Sequence, residues 1–330
     1  MRKLPIGKLP PDILKNLVLS RTGSRRGDVV LRPAVGEDAG AVKSGGKVYV
    51  LSIDPITGSR EMVGWLSVHA SANDVAVSGG RPSWFSPTIL IPPKSSIRDV
   101  DKIMRQVDRA AKSLDVAVVT GHTEVAPYIT APVVVGHMMG PLVGGRLIRS
   151  SGARPGDWII MSKAAAIEGT AILATDFAEL LRRRGVSGRV IRDARGYYRK
   201  ISVVREALAL ARRGVVNAMH DPTEGGILGG LYELAEASGT GFRVMASEIP
   251  ITPATKEICR ALGLDPYSLI SSGALLATTP RLERGILTRV DARPIGRVVK
   301  RREGRLFITR EGVRKVEEPV QDQLWRIIPR

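Results

Sequence analysis

The stretch Lys47-Val48-Tyr49-Val50-Leu51-Ser52-Ile53-Asp54 decides the fold of the first half of this chain. Its β-branched and apolar residues are typical of a buried strand, which we expect to end at Asp54. Apolar residues at helical spacing follow over 62–77, and Gly79-Gly80-Arg81-Pro82 is a stop signal. A buried strand followed by an apolar helix predicts an α/β or α+β layer.

The alternation of strands and helices continues behind this unit. Strands are expected over 86–91, 116–120 and 132–139, with an amphipathic helix over 97–114. The strand over 116–120 would deliver Gly121-His122-Thr123-Glu124 into a turn.

The second half of the chain repeats the pattern and predicts a second domain. The segment 144–156 is rich in Gly, Ser and Arg, and strands and helices alternate again after it. Because 330 residues exceed the usual size of one core, we expect an N-terminal domain over 1–148 and a C-terminal domain over 149–330.

Acidic and amide residues recur where glycine-rich turns meet apolar runs. Short carboxylates beside glycines can hold hydrated Mg²⁺ against a polyphosphate, because the backbone is able to approach closely there. Each site alone also has an ordinary explanation as a solvated turn or a strand end. The five sites are Gly36-Glu37-Asp38-Ala39, Ser52-Ile53-Asp54, Asn73-Asp74, Gly121-His122-Thr123-Glu124 and Asp221-Pro222-Thr223-Glu224-Gly225-Gly226.

Two of these sites are the most informative. Asn73 and Asp74 fall inside an apolar helix, where both have poor propensity and a buried carboxylate needs a partner. His69 lies one turn earlier and is interpreted as a structural residue. The segment 221–226 precedes a helix predicted over 227–237, where Asp and Thr would cap the helix or leave its free N–H groups for an anion.

Composition narrows the classes of protein further. Hydrophobic residues make up 43% of the chain, and no apolar run approaches a membrane span or a secretory signal, so we expect a cytoplasmic protein. The net charge of +18 raises nucleic-acid binding as an alternative. We do not expect it, because the charge is scattered with few aromatic residues for base stacking. Scarce Asn and Gln with abundant charge suggest a heat-adapted source.

The single cysteine, Cys259, lies in a helix predicted over 252–262. One cysteine excludes an intrachain disulfide and a cysteine-cluster metal site. We expect a small buried apolar side chain at this position.

Read in order, the acidic motifs resemble those of the AIR synthase (PurM-like) superfamily over residues 9–278. The superfamily includes HypE, selenophosphate synthetase, thiamine monophosphate kinase and FGAM synthase, and the HypE-like, AIR synthase-related branch of archaeal type is most similar. The resemblance implies a PurM-like two-domain fold of the α+β or α/β class. Its N-terminal mixed sheet would pair in a dimer barrel with ATP at the interface, beside a C-terminal α/β domain.

The resemblance also implies ATP and Mg²⁺ as cofactors and a role for each matching residue. The enzyme would activate an oxygen of a carbonyl, amide or phosphate-type substrate by phosphoryl transfer, as in hydrogenase maturation. The residues implied to act in catalysis are Asp38, Asp74 and Asp221. Those implied to hold the metal are Asp38, Asp54 and Asp74. Those implied to border the nucleotide are Asp54, Asn73, Gly121, Thr123, Glu124 and Thr223.

One departure limits the resemblance to HypE. HypE carries its carbamoyl substrate on a cysteine at the extreme C-terminus, whereas this sequence ends Trp325-Arg326-Ile327-Ile328-Pro329-Arg330. We therefore leave the carbamoyl-to-cyanide reaction open. The alternatives are a nucleotide-binding or assembly module without catalysis and a thiamine monophosphate kinase-like enzyme. Expected partners are a nucleotide, a small-molecule or protein-bound substrate and a second copy of the chain.

Overall fold

A computed structural model describes residues 4–328, which contain two mixed sheets of seven strands each. The strands of the first sheet are β1 (Val29–Leu31), β2 (Gly40–Ser44), β3 (Lys47–Ile56), β4 (Trp84–Ile91), β5 (Ala117–Val118), β6 (His122–Val125) and β7 (Val133–Pro141). The strands of the second are β8 (Trp158–Ser162), β9 (Ala218–His220), β10 (Thr240–Met245), β11 (Leu276–Thr279), β12 (Ala292–Lys300), β13 (Arg305–Thr309) and β14 (Gly312–Lys315).

The helices lie between and after these strands. The α-helices are α1 (Pro11–Ile13), α2 (Val63–Val77), α3 (Ile97–Ser113), α4 (Ile167–Asp176), α5 (Ala178–Arg183), α6 (Gly188–Arg195), α7 (Val204–Arg213), α8 (Gly226–Ser238), α9 (Pro253–Leu262) and α10 (Arg284–Arg289). A π-helical turn, Leu14–Val18, continues α1. Short 3-10 turns occur at Ser150–Gly152, Gly196–Lys200, Ala246–Glu248, Arg301–Glu303 and Gln323–Arg326. Across residues 4–328, none of the helices combines the length and apolar character that a membrane span requires.

The first sheet has the order β1-β2-β3-β7-β4-β5, and β6 also pairs with β4. Burial alternates strictly along β4 and β7, as the two-residue period of a strand requires. The buried face contacts α2. The opposite face, which includes Ile53, Trp84 and Met139, is only partly buried.

Strand β3 differs from the sequence prediction at its end. The strand does not stop at Asp54 but continues to Ile56, with Asp54 opposite Gly136 of β7. Strand β2 pairs with β3 only as far as Leu51, so the last five residues of β3 have a single neighbour. A strand with one free side tolerates Pro55, which has no backbone N–H to offer.

Helix α2 confirms the prediction over 62–77 and is buried on nearly every side, with only Trp65 partly exposed. It contacts β3, β7 and α3 of the first sheet layer and also α7 of the second half. The approach of β7 depends on Gly136, because a Cβ there would lie 2.6 Å from both Ser67 O and Ser71 Oγ. Ser71 Oγ donates a hydrogen bond to Gly136 O at 3.0 Å.

The second sheet has the order β14-β13-β10-β12-β8-β11-β9, with β10 and β13 parallel and the other pairs antiparallel. The helix predicted around Cys259 is confirmed as α9, and the Cys259 side chain is buried. Apolar residues of α4, α6 and α9 form one core cluster that also includes Leu66 and Ala70 of α2. Helix α2 therefore belongs to the packing of both halves.

The turn predicted at Gly121-His122-Thr123-Glu124 is wrong. Residues His122–Val125 form β6, which runs parallel to β4 directly after the two-residue strand β5. Both short strands pair with the same neighbour, because β4 is long enough to offer backbone groups to each in turn. The strand predicted over 116–120 is the shorter β5, and β6 is a second strand where a turn was predicted.

Replacing Gly136 with Ala is expected to destabilise the protein by about 1–3 kcal/mol, because the new methyl group overpacks the contact between β7 and α2. Thermal and urea unfolding measure the loss. Gly285→Ala is the matched control, since a Cβ at Gly285 in α10 meets nothing within 4 Å. Equal stability of the two variants would contradict the close approach described here.

Candidate functional site

A group of carboxylates lies where α2 meets the end of β3. Ser52 and Asp54 share one face of β3, because alternate residues of a strand point the same way. Ser52 Oγ donates a hydrogen bond of 2.6 Å to Asp74 Oδ2 of the buried helix. Burial, together with the charges of Asp54 and Asp38, raises the pKa of Asp74 well above its ordinary value. Burial also raises the pKa of Asp54, to about 6.

Asn73 connects this group to the second half of the molecule. Its Nδ2 donates to Asp221 Oδ2 at 2.9 Å and to Ile201 O at 3.0 Å, and its Oδ1 accepts from Val203 N at 2.9 Å. Burial raises the pKa of Asp221 to about 7, although the bond from Asn73 opposes the rise. Asp221 Oδ1 is buried and has no hydrogen-bond partner within residues 4–328.

Asp38 is held by a chain of charged groups that the sequence analysis did not identify. Asp38 Oδ2 lies 2.8 Å from His220 Nδ1, and His220 Nε2 lies 3.0 Å from Glu233 Oε2. Lys8 Nζ donates to Glu233 Oε1 at 2.9 Å. Burial opposes a charged His220, but the two carboxylates outweigh burial and raise its pKa to about 10. A protonated His220 donates from both ring nitrogens.

The turn that carries Asp38 is anchored by its neighbour Glu37. The backbone N–H groups of Ser150 and Ser151 donate to the Glu37 carboxylate at 3.1 and 3.2 Å. Ser150 Oγ also donates to Asp38 Oδ2 at 3.1 Å. The segment between the two sheets therefore fixes both acidic residues of the Gly36-Glu37-Asp38-Ala39 motif.

A cavity of about 640 Å³ opens beside these groups. Asp54 and Thr223 line it, whereas Asp74 and Asp221 are buried and do not. An adjoining cavity of about 500 Å³ shares the wall residues Lys8 and Glu224. A volume of this size is typical of small-molecule sites, which run to roughly 300–1,000 Å³.

The start of α8 corrects another prediction. The residue that caps α8 is Gly225, at φ 80°, and no side chain of the segment 221–224 caps the helix. Gly225 N donates instead to Asp322 Oδ2 at 2.7 Å. The backbone N–H of Gly225, which a local capping box would satisfy, therefore bonds to a carboxylate 97 residues away in the sequence.

The structure does not bring Gly121, Thr123 and Glu124 to the carboxylate group. They are exposed on or next to β6, and β4 and β7 separate that strand from β3. Glu124 Oε2 lies 3.2 Å from His122 Nε2 on the same strand. Their predicted place beside a nucleotide remains a prediction.

His69 is buried, but neither of its ring nitrogens has a hydrogen-bond partner within residues 4–328, so its interpretation as a satisfied structural residue remains a prediction. Its ring lies 4.5 Å from the ring of Trp65, between centroids, and is buried. Burial lowers the pKa of His69 to about 4, so the imidazole is neutral at physiological pH.

The donor set suits a hydrated magnesium ion better than a closed metal cage. Across residues 4–328, no group of three or more His, Cys, Asp or Glu side chains is arranged to hold a metal ion unaided. Mg²⁺ keeps several waters and is usually held by one or two carboxylates together with substrate phosphates. Carboxylates with mutually raised pKa values and an unpartnered Asp221 oxygen fit that mode of binding.

Two family models match this chain in succession. Residues 36–142 match the N-terminal domain of AIR synthase related protein, and residues 154–309 match its C-terminal domain. The chain therefore belongs to the AIR synthase related family. The division at residue 148 remains a prediction, since the two matches leave 143–153 unassigned.

Within that family the chain is similar to hydrogenase maturation proteins. It is 28% identical to a Methanocaldococcus jannaschii protein named for hydrogenase expression and formation, over 97% of each chain. It is 30% identical to carbamoyl dehydratase HypE of Rhizobium leguminosarum bv. viciae, over 75% of this chain and 69% of the relative.

A solved structure confirms the fold. The hydrogenase maturation protein HypE in complex with ATP superposes with a TM-score of 0.71 over 96% of each chain, at 22% identity. The PurM-like, mixed α/β fold expected from the sequence is thus confirmed. The described residues of one chain form two open sheets rather than a closed barrel.

In the absence of divalent metal, the free energy of unfolding is expected to fall between about pH 4 and pH 7. The pKa values of Asp54 and Asp221 in the folded protein, about 6 and 7, exceed the ordinary value of 3.8. Their stabilising contribution is complete below pH 3.8 and is lost as the pH rises through the folded pKa values. The expected loss is on the order of a few kcal/mol. Urea unfolding in EDTA at several pH values measures it.

Asp221→Asn should flatten this pH profile, because the amide keeps the shape of the side chain without titrating. Asp108→Asn is the control, since Asp108 is half exposed and pairs with Lys112. His220, with its raised pKa, also loses stabilisation above pH 6.5 and adds to the fall in both variants. If the stability of Asp221→Asn and of the wild type depended on pH in the same way, Asp221 would not be the cause of the pH-dependent loss of stability.

Proposed function

We propose that the protein is a cytoplasmic, Mg²⁺-dependent enzyme that binds ATP and activates an oxygen of its substrate by phosphoryl transfer, as a HypE-like enzyme of hydrogenase maturation. The observation that carries the proposal is the crowding of Asp54, Asp74 and Asp221 at the junction of the two halves. Unpaired buried carboxylates are unfavourable, and a divalent cation with a polyphosphate is the kind of ligand that relieves them.

In this proposal the carboxylates divide into two roles. Asp38, Asp54 and Asp74 would hold Mg²⁺, which would neutralise charge on the phosphates. Asp221 faces the transferred group from the second half of the chain, and Asn73 keeps it in place. Thr223 borders the nucleotide at the cavity wall. His220 and Glu233 are positioning residues, because they act on the site through Asp38.

The relatives support the same class of reaction. The Rhizobium relative is named carbamoyl dehydratase, and the HypE structure of the same fold contains ATP. The proposed substrate is one that presents a carbonyl, amide or phosphate-type oxygen, as expected from the sequence. A heat-adapted source remains part of the proposal, on the composition of the chain alone.

We also propose that the active form is a homodimer. The outer face of the first sheet is uncovered by any element within residues 4–328, and Ile53 on it is 68% exposed. Leu51, Met139 and Trp84 form one apolar row across three strands of that face. Pairing this face with that of a second copy would form the dimer barrel, and Thr123 and Glu124 on the edge strand β6 would border the nucleotide from there.

Asp74→Asn is expected to reduce magnesium-dependent ATP turnover by roughly 100-fold or more, because it removes a metal-binding charge from the site. The amide can still accept the hydrogen bond from Ser52, so the fold should be retained. Phosphate release measures turnover, and calorimetry measures MgATP binding. Asp101→Asn is the matched control, because Asp101 is exposed on α3 and pairs with Arg105.

The outcomes separate the enzyme from its alternatives. Unchanged turnover in Asp74→Asn, with a normal melting temperature, would contradict the role of this carboxylate. Wild-type protein that binds MgATP and never turns it over with any substrate would instead indicate a nucleotide-binding or assembly module.

Ile53→Arg is expected to weaken self-association by at least about tenfold, because it places a charge at the centre of an apolar interface. Light scattering after size exclusion measures the mass at several concentrations. Val313→Arg is the control, since Val313 is similarly exposed, at 59%, but lies on β14 of the other sheet. A wild-type monomer, or a dimer unaffected by Ile53→Arg, would exclude this interface.

A further inference from the structure

One wall of the 640 Å³ cavity contains three buried polar groups that the proposed mechanism does not use, on Glu168, Ser272 and Trp325. Glu168, in the first turn of α4, is 4% exposed, and its Oε2 is buried without a hydrogen-bond partner in the described part of the chain. Ser272 is 1% exposed, and its Oγ is likewise buried and unpartnered within residues 4–328. Trp325 Nε1 on the same wall is also buried without a partner within residues 4–328. Buried polar atoms are rarely left unpaired, so these three atoms point to a missing ligand.

The other acidic residues of the same wall have partners. Asp322 accepts from Gly225 N and from Leu324 N, both at 2.7 Å. Glu224 Oε2 accepts from Lys8 N at 3.0 Å. Glu168 therefore differs from Asp322 and Glu224 in having a carboxylate oxygen that is ready to accept a donor from outside the chain.

The charge around Glu168 favours a positive ligand. The described cavity wall carries the acids Asp54, Glu168, Glu224 and Asp322 against one base, Lys8, whose amine is already paired with Glu233. Burial raises the pKa of Glu168 to about 8, and the charges of Asp221, Asp54 and Asp322 contribute to the rise. The Ser272 hydroxyl opposes the rise because it lies near the carboxyl group, although no hydrogen bond of normal geometry joins the two. A cation bound beside Glu168 would supply the missing counter-charge and lower this pKa, whereas an anionic group would raise it further.

The surroundings also set the size and polarity of the ligand. Ile172, Ile270 and Leu324 line the cavity beside these polar groups. A small hydrocarbon portion can pack against these side chains while a polar end reaches Glu168.

We propose that Glu168 and Ser272 form the recognition site for the substrate, which carries a cationic nitrogen group such as a guanidinium, amidinium or ammonium. Its N–H groups donate to Glu168 Oε2 and Ser272 Oγ, while MgATP occupies the carboxylate group around Asp54. This inference rests on the proposed function and narrows its substrate class. The cationic group distinguishes such a substrate from one that presents only a phosphate to this wall.

The test uses three small probes on the full chain, saturated with Mg²⁺ and a non-hydrolysable ATP analogue. Methylguanidinium, acetamide and methyl phosphate are cationic, neutral and anionic, and ligand-observed NMR gives the dissociation constant of each. Methylguanidinium should bind most tightly to the wild type. Glu168→Gln should weaken it by about tenfold or more, because it removes the charge and keeps the shape. Binding of the ATP analogue, measured separately by calorimetry, should not change.

Tighter binding of methyl phosphate or acetamide, or full retention of methylguanidinium binding by Glu168→Gln, would overturn the inference. Failure of the wild type to bind the ATP analogue would instead count against the proposed function. In that case, a methylguanidinium site lost in Glu168→Gln would still support the recognition site. If Glu168→Gln fails to fold, methylguanidinium binding is measured with Ser272→Ala instead. Weaker binding would support the site formed by Glu168 and Ser272, and unchanged binding would contradict it.

Discussion

Helix α2 passes through the interior of the molecule with almost every residue buried, so its polar side chains must find their partners inside. Asn73 uses its donor and acceptor groups on Asp221 and on the backbone of residues 201 and 203. Asp74 accepts from Ser52 of the neighbouring strand. These bonds join the two halves of the chain at one place, and the carboxylates collect at that place. The geometry of the site therefore depends on the burial of one helix.

The same burial explains the chemistry. Removing carboxylates from water disfavours their charged form, and each additional carboxylate increases the effect. At one end of the site the chain itself supplies positive charge. The carboxylate of Asp38 contacts His220, which contacts Glu233, and Glu233 is paired with Lys8. Asp54, Asp74 and Asp221 have no basic side chain bonded to them, among the hydrogen bonds of the described residues. A divalent cation and the nucleotide it carries would complete the arrangement, which links the fold directly to the proposed activity.

Much of this arrangement could be predicted from the sequence, because strand β3, helix α2 and helix α3 each carry a strong local pattern. Asn73 and Asp74 stood out since they violate helix propensity, and the structure places both at the junction. The start of α8 could not be predicted, because its donor is satisfied by Asp322 rather than by a nearby side chain. Lys8 and Glu233 are 225 residues apart, and Glu168 stands in a segment with no motif. Contacts that form only when distant segments fold together have no characteristic spacing in the sequence, so they could not be predicted from it.

The most direct test is a crystal structure with Mn²⁺ and a non-hydrolysable ATP analogue. Mn²⁺ replaces Mg²⁺ and can be located by its anomalous scattering. We expect manganese beside Asp38, Asp54 and Asp74 together with the phosphates, and Asp221 facing the terminal phosphate. Manganese and phosphates bound elsewhere, with the three carboxylates unchanged, would contradict this expectation.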